Sequence, residues 1–151
     1  INKVKKNYKA HKKNTATQTF QAIRIFVNQE LTELMHGLIE ATKILPNGGI
    51  LIVVSFHSLE DRIVKNFFNN HSNLEKNPSR YLPLKENKFN FFKILSKKPL
   101  KPETSEIKEN PPSRSAKLRY AIRNNNSFLY PKDFENKFAN YFNLEGLKIW
   151  D

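Results

Sequence analysis

A histidine flanked by serines and acidic residues follows the most apolar run of this sequence. Residues 55–62 read SFHSLEDR, and residues 50–54, directly before them, read ILIVV. Histidine changes its charge near neutral pH, so it can transfer a proton or hydrogen bond a substrate. His57 and the neighbouring Phe56 and Ser55 are therefore the first candidates for a catalytic site.

Two other chemistries are disfavoured by the spacing of these residues. Ser55, His57 and Asp61 lie too close in sequence to be aimed at one atom, and no G-x-S-x-G elbow is present. His57, Glu60 and Asp61 read H-x-x-E-D, which lacks the two histidines at i and i+4 of a zinc-binding helix. The sequence therefore predicts neither a hydrolase triad nor a metal site.

The elements around His57 read as strand, short turn and helix. Residues 49–56 are β-branched and apolar on both alternating faces, which is typical of a central parallel strand covered by helices on each side. Ser58 is predicted to cap the next helix, with Asp61 as its capping-box partner and Lys65 paired to Asp61. The apolar stripe of that helix is Leu59, Ile63, Val64, Phe67 and Phe68.

This order of elements places residues 55–58 where α/β proteins bind ligands, beyond the carboxyl end of a strand. His57 then either contacts a substrate base or hydrogen bonds a neighbouring backbone carbonyl. Position in the sequence does not decide between these two roles.

A long amphipathic helix is predicted upstream, over residues 17–45. Thr17 or Thr19 can cap its start, residues 46–49 (PNGG) end it, and its length predicts a break near Asn28. Its apolar residues recur at steps of three and four along one face: Phe20, Ile23, Val27, Leu31, Leu34, Leu38, Ala41 and Leu45.

The downstream part contains a second strand with charged residues. Residues 89–95 can form a short strand, and the four prolines in residues 97–112 predict an extended connection. Residues 113–123 then alternate, which predicts a strand with a basic face. That face either contacts RNA phosphates or is the solvated face of an edge strand. Its apolar side is Leu118, Tyr120 and Ile122, and its basic side is Lys117, Arg119 and Arg123.

Composition favours a nucleic-acid partner. The chain of 151 residues has a net charge of +12, which favours a polyanion, and it is 12% aromatic, which favours a folded domain. It has no cysteine, which excludes disulfides and thiolate metal sites. No apolar run reaches the roughly 20 residues that a membrane helix needs, so a soluble cytoplasmic protein without membrane contact is expected.

Three segments resemble one enzyme family closely. Residues 19–31 (TFQAIRIFVNQEL), 46–68 (PNGGILIVVSFHSLEDRIVKNFF) and 110–123 (NPPSRSAKLRYAIR) resemble the C-terminal half of the small-subunit ribosomal RNA cytosine-N4 methyltransferases of the MraW or RsmH type. The resemblance implies an α/β fold, the class I S-adenosylmethionine-dependent methyltransferase (Rossmann-like) fold. It also implies methyl transfer from S-adenosylmethionine to the exocyclic amine of a cytosine in 16S ribosomal RNA.

On this resemblance the chain is expected to be incomplete. Its only glycines are Gly37, Gly48, Gly49 and Gly146, so it has no G-x-G-x-x-G loop for the cofactor. The division expected is a basic arm over 1–14, the C-terminal half of the methyltransferase domain over 15–123, and an extension over 124–151. The chain alone is expected to be inactive, and the alternative is a non-catalytic basic RNA-binding module.

Two positions depart from the family pattern. Gln18 and the pair Pro111 and Pro112 stand where basic residues are usual in the family. In the extension, a helix after Pro131 is expected to pack back on the domain, with partner binding as the alternative. The expected site residues are Ser55, Phe56 and His57 on the catalytic side and Arg24, Arg114, Lys117 and Arg119 as RNA ligands.

Overall fold

The computed structural model describes residues 15–72 and 90–145, and within them helices pack on one face of a small sheet. The predicted arm over 1–14 and the apolar residues 147–150 lie outside the described residues. No helix in the described ranges is long and apolar enough to cross a membrane. In chain order the elements are α1 (Thr15–Asn28), α2 (Glu30–Ile44), β1 (Ile50–Ser55), α3 (Ser58–Asn70), β2 (Phe92–Lys93), α4 (Thr104–Glu109), a 3₁₀ turn (Pro111–Ser115), β3 (Lys117–Arg123), α5 (Lys132–Lys137) and α6 (Ala139–Glu145).

The sheet has the order β1-β3-β2, and both pairings are antiparallel. The prediction that β1 is a central parallel strand covered on both sides is wrong for the described residues, where it pairs with β3 alone. Helices cover only one face of β1. The outward side chains Ile50, Ile52 and Val54 are 54%, 58% and 48% exposed. An apolar run shows that a strand forms, but it cannot show which neighbours the strand acquires.

The core lies between the inner face of the sheet and helices α2 and α3. Leu51 and Val53 of β1 face this core, and Ala121 of β3 is buried beside them. The predicted stripe of α3 is confirmed, since four of its five members are buried, Ile63, Val64, Phe67 and Phe68, and Leu59 is partly buried against the same core.

The C-terminal helices complete the same core. Phe134 and Phe138 are buried, and the ring of Phe134 lies 5.0 Å from that of Phe67 in an edge-to-face arrangement. Edge-to-face pairs add about 0.5–1.5 kcal/mol to the stabilisation from burial. The prediction that the extension packs back on the domain is confirmed for residues up to 145.

The predicted break in the long helix is confirmed at Gln29, which has the left-handed angles φ 52° and ψ 34°. The prediction of one continuous apolar face is wrong for α1. A left-handed residue changes the direction of the helix, so Phe20, Ile23 and Val27 are exposed, whereas Ile25 is buried.

The basic side of β3 faces the core rather than solvent. β3 is the central strand, so its interpretation as a solvated edge strand is wrong. Lys117, Arg119 and Arg123 share the inner face with Ala121, and Arg123 is only 6% exposed. The connection over 97–112 is also not fully extended, because it contains the short helix α4.

Candidate functional site

The turn after β1 is closed by a reciprocal cap one residue earlier than predicted. His57, not Ser58, is the N-cap of α3: its Nδ1 accepts the Glu60 backbone N–H at 3.4 Å. The Glu60 carboxylate accepts the N–H groups of Phe56 at 2.9 Å and of His57 at 3.3 Å. The extended backbone of His57 (φ −138°, ψ 165°) makes it the residue outside the helix, and a helix is capped from that position.

The cap also fixes the proton of the histidine ring. Because Nδ1 accepts a hydrogen bond, the neutral ring carries its proton on Nε2. This nitrogen is buried and forms no well-aligned hydrogen bond among the described residues. It lies 3.3 Å from Glu60 Oε1 and 4.0 Å from Glu30 Oε2. Both ring nitrogens are therefore turned toward the protein in this conformation.

Glu30, His57 and Glu60 also have the donor types of a metal site. One ligand atom from each lies within 4.8 Å of the other two. However, a metal at Nε2 would require the ring proton on Nδ1, and that proton would meet the Glu60 backbone N–H. The cap and a metal ion are thus incompatible at this ring position.

An open cleft of about 750 Å³ lies beside this turn. Polar and cationic residues of α1, of the turn after β1 and of the 3₁₀ turn form its walls. Phe56 contributes an exposed ring, 57% accessible. A smaller pocket of about 490 Å³ shares Phe56 and His57 with the cleft and adds Phe20 and Arg24. The main lining residues of the cleft are Gln18, Gln21, Phe56, Lys101, Arg114 and Lys117.

The predicted RNA ligands differ in their exposure and in the protein groups that their side chains contact. Arg114 is exposed and, within the described residues, forms no ion pair or side-chain hydrogen bond. Lys117 lines the cleft, but its Nζ lies 2.9 Å from Asp61 Oδ2. Arg119 donates to Asp61 at 2.7 Å and to the Lys97 carbonyl at 3.0 Å, and its side chain is 10% exposed. Arg114 is thus the most available of these three cations.

Arg24, the fourth predicted RNA ligand, is engaged at the break between α1 and α2. Its guanidinium donates to both carboxylate oxygens of Glu30, at 2.7 and 3.1 Å. Burial raises the pKa of Glu30, but hydrogen bonds from Arg24 and Asn28 outweigh it, so the pKa lies below its ordinary value. Glu30 is therefore ionised beside His57 at neutral pH.

Asp61 joins α3 to β3 rather than pairing with Lys65 as predicted. It is buried against Lys117 and Arg119. Burial raises the pKa of this carboxyl, but hydrogen bonds from Arg119 and Lys117 lower the pKa by more. The net pKa is therefore below 3.8. One carboxylate therefore engages two of the three cations on the basic face of β3, Lys117 and Arg119, and offsets one of their two charges.

Ser55, the third predicted catalytic residue, lies inside the sheet. It is 3% exposed, and its hydroxyl donates to the Lys117 carbonyl across the strand pair at 3.4 Å. It fixes the end of β1 against the start of β3 and does not line the cleft.

Three residues at the site were missed by the sequence analysis. Lys101 comes from the proline-rich connection, which lies alongside β3 because Leu100 and Leu118 exchange two backbone hydrogen bonds of 2.9 Å. Glu30 and Phe20 come from the helices before β1. Phe20 carried no signal of a role at the site, because it falls on the predicted apolar stripe and was expected in the core.

The fold and site together define an α/β protein with an aromatic and cationic cleft at the carboxyl end of a strand. A sequence model of the MraW methylase family matches residues 1–124. The chain therefore belongs to the MraW methylase family.

Individual relatives agree with this assignment. The chain is similar to the ribosomal RNA small subunit methyltransferase H of Persephonella marina, with 51% identity over 108 residues, which is 72% of this chain and 32% of the relative. The same-named proteins of a Sulfurihydrogenibium species and of Afipia carboxidovorans are 48% and 51% identical over 117 and 112 residues. These segments are 78% and 74% of this chain and 35% and 33% of the relatives. The chain thus spans about a third of the length of these curated relatives.

The one pair of adjacent glycines in the sequence, Gly48 and Gly49, does not form a cofactor-binding loop. Gly48, with φ 78°, and Gly49 form the turn between α2 and β1. The N–H of Gly48 donates to the Arg123 carbonyl at 2.9 Å. The N–H of Gly49 donates to the Pro46 carbonyl at 2.9 Å, and the Gly49 carbonyl accepts the Arg123 N–H at 2.8 Å. These backbone groups are used within the fold, so neither glycine has a free N–H group to offer a cofactor.

Proposed function

We propose that this chain is the C-terminal part of an S-adenosylmethionine-dependent methyltransferase that acts on the N4 amine of a cytosine in 16S ribosomal RNA. The observation that carries the proposal is the cleft at the end of β1, where the exposed ring of Phe56 lies among Lys101, Arg114 and Lys117. The family and the names of the relatives support methyl transfer to ribosomal RNA. Work on the small ribosomal subunit also implies a cytoplasmic location.

The cleft suits a base that has left its stack. Enzymes that modify a base bring it into a pocket and stack it on aromatic side chains, while cations hold the flanking phosphates. Phe56 and Phe20 offer exposed rings, and Arg114 offers a guanidinium without a protein partner in the described residues. We assign stacking to the two rings and phosphate contact to Arg114 and Lys101.

The reaction makes positioning the main task of these residues. The lone pair of the cytosine amine is delocalised into the ring, so the amine must be held in line with the methyl group. His57 is proposed as a substrate-side hydrogen-bonding group. Its Nε2 proton points toward Glu60 and Glu30 in this conformation, so proton transfer by His57 would require the ring to rotate.

The face of the sheet that no described element covers supports a larger parent protein. Ile50, Ile52 and Val54 project from β1 on the side opposite the helices, next to Tyr120 and Ile122 of β3. A contiguous apolar face of this kind normally packs against another element. We propose that the rest of the parent protein covers this face and supplies the S-adenosylmethionine site.

Calorimetry with S-adenosylmethionine tests the proposal on this chain and on a version extended upstream to the length of the relatives. Binding by the extended version alone is expected, because this chain has no G-x-G-x-x-G loop for the cofactor. If neither version binds, the non-catalytic RNA-binding module becomes the better account, and its only support is then the cationic cleft.

Removal of the Phe56 ring is expected to weaken RNA binding. Stacking on an aromatic side chain contributes about 1–3 kcal/mol per base, so Phe56→Ala should lower affinity for a short single-stranded, cytosine-containing RNA about tenfold. Fluorescence anisotropy with a labelled RNA measures this. Leu129→Ala removes an exposed apolar side chain from outside the cleft lining and is the matched control. Equal affinities of the two variants would contradict the stacking role.

Removal of the Arg114 charge is expected to change the salt dependence of the same binding. A lost phosphate contact reduces the slope of log affinity against log salt by about 1. Lys65→Ala removes an exposed cation of α3 that is outside the cleft lining and should leave the slope unchanged. If Arg114→Ala left the slope at the wild-type value, phosphate contact by Arg114 would be excluded.

A further inference from the structure

Two carboxylates beside a cleft for a polyanion require an explanation, because they repel phosphate. Glu60 and Glu30 approach His57 from two sides, at 3.3 and 4.0 Å from its Nε2. The side chain of His57 is 9% exposed, and those of Glu60 and Glu30 are 22% and 20% exposed. Both carboxylates are therefore turned into the protein, and Arg24 neutralises that of Glu30.

Glu60 makes more contacts to the cleft wall than a helix cap needs. One oxygen, Oε2, accepts the backbone N–H groups of Phe56 and His57, and the other, Oε1, lies nearest the His57 Nε2 proton. The shortest of these contacts, at 2.9 Å, is to Phe56, which is outside the capping box proper. A single carboxylate thus fixes the peptide that carries the exposed ring.

We propose that Glu60 is a positioning residue for the cleft, which holds the Phe56 ring in the orientation that stacks on a base. This inference rests on the proposed function, because it needs Phe56 to contact the base. Glutamine keeps the hydrogen bonds to the backbone, since its amide oxygen can accept the Phe56 and His57 N–H groups, but its NH₂ group replaces Oε1 and loses the contact with the Nε2 proton of His57. Aspartate at the same position keeps the charge near the helix N-terminus but is one methylene shorter, so it should not reach the Phe56 N–H.

Three variants of Glu60 separate positioning from charge. Glu60→Gln and Glu60→Ala remove the same negative charge, so any difference in RNA affinity between them reports the lost hydrogen bonds. We expect Glu60→Ala to bind single-stranded RNA three- to fivefold more weakly than Glu60→Gln. Glu60→Asp has the wild-type charge, and we expect it to bind three- to fivefold more weakly than the wild type. Urea unfolding of each variant verifies that the chain is folded in the assay, and Glu60→Asp keeps the test open if Glu60→Ala unfolds.

A double-mutant cycle with Phe56 gives the decisive readout. If Glu60 acts through the ring, Glu60→Gln and Glu60→Ala have equal affinities once Phe56 is alanine, so the two effects are not additive. Additive effects would overturn the positioning role of Glu60, and so would equal binding by Glu60→Gln and Glu60→Ala in the presence of Phe56. Either result would leave the stacking role of Phe56 intact. Wild-type affinity of Phe56→Ala would overturn the stacking proposal itself, so the two failures are distinguishable.

Discussion

Replacement of Arg123 by alanine is expected to lower the free energy of unfolding by about 3 kcal/mol, because it removes a buried guanidinium that hydrogen bonds to carbonyl groups on three segments. The guanidinium donates to backbone carbonyls on three separate segments, at the end of α2, before β2 and after β3. It also lies 5.4 Å from the centre of the Phe91 ring. The acceptors are the carbonyls of Thr42 (3.2 Å), Phe91 (3.3 Å), Asn124 (3.0 Å) and Asn126 (2.8 Å).

Charge alone does not explain this expected loss. Within the described residues no carboxylate pairs with Arg123, and burial lowers the pKa of its guanidinium without bringing it near neutrality. Arg123→Lys keeps the charge but cannot span the separate carbonyls, so it should recover less than half of the loss. Arg114→Ala removes an exposed arginine and should change stability by no more than about 0.5 kcal/mol. Urea midpoints measure all three, and similar midpoints for Arg123→Ala and Arg114→Ala would refute the role.

Replacement of Asp61 by asparagine is expected to cost about 2 kcal/mol at pH 7, because Lys117 and Arg119 then lose their shared partner on the inner face of the sheet. The estimate is below that for a fully buried pair because the Lys117 side chain is 32% exposed. The exposed pair of Glu40 and Lys43 is the matched control, and Glu40→Gln should cost no more than about 0.5 kcal/mol.

The pH dependence of the Asp61 effect follows from the direction of its pKa shift. The pKa of Asp61 in the folded state is below the ordinary 3.8, so the unfolded state binds its proton first as the pH falls. The contribution of Asp61 is therefore complete above about pH 5 and decreases as the pH falls through 3.8 toward the folded-state pKa. The stability difference between the wild type and Asp61→Asn should shrink over this window. A difference that stayed constant down to pH 3 would show that the carboxylate charge is not its origin.

Local patterns were sufficient for most of the secondary structure. The break at Gln29, the strand of residues 50–55 and the apolar stripe of α3 follow from periodicity and turn residues, which act over a few neighbours. The N-cap was misplaced by one residue because Ser58 and His57 can both accept a backbone N–H. Backbone angles, which the sequence does not show, decided for His57.

The candidate site was predicted only in part. Phe56 and His57 were identified because strand ends are where α/β proteins bind ligands. The sequence could not show that Lys101 and Glu30 join them, since the packing of the 97–101 segment on β3 and the approach of α2 to the turn bring them there. The contacts of Arg119 could not be predicted either, because the alternation of residues along β3 does not show which face of the sheet is covered.

The sequence by itself determined the elements, the family resemblance and the surplus of positive charge, because these depend on residue types and short spacings. Only the tertiary structure decided what each charge contacts. Alternation along β3 separates two faces but does not show that the basic one is turned toward the core. That choice depends on the helices packed on the sheet and on Asp61, which forms ion pairs with both Lys117 and Arg119 from a separate element. Arg114, left without a partner in the described part of the chain, therefore remains available to a phosphate.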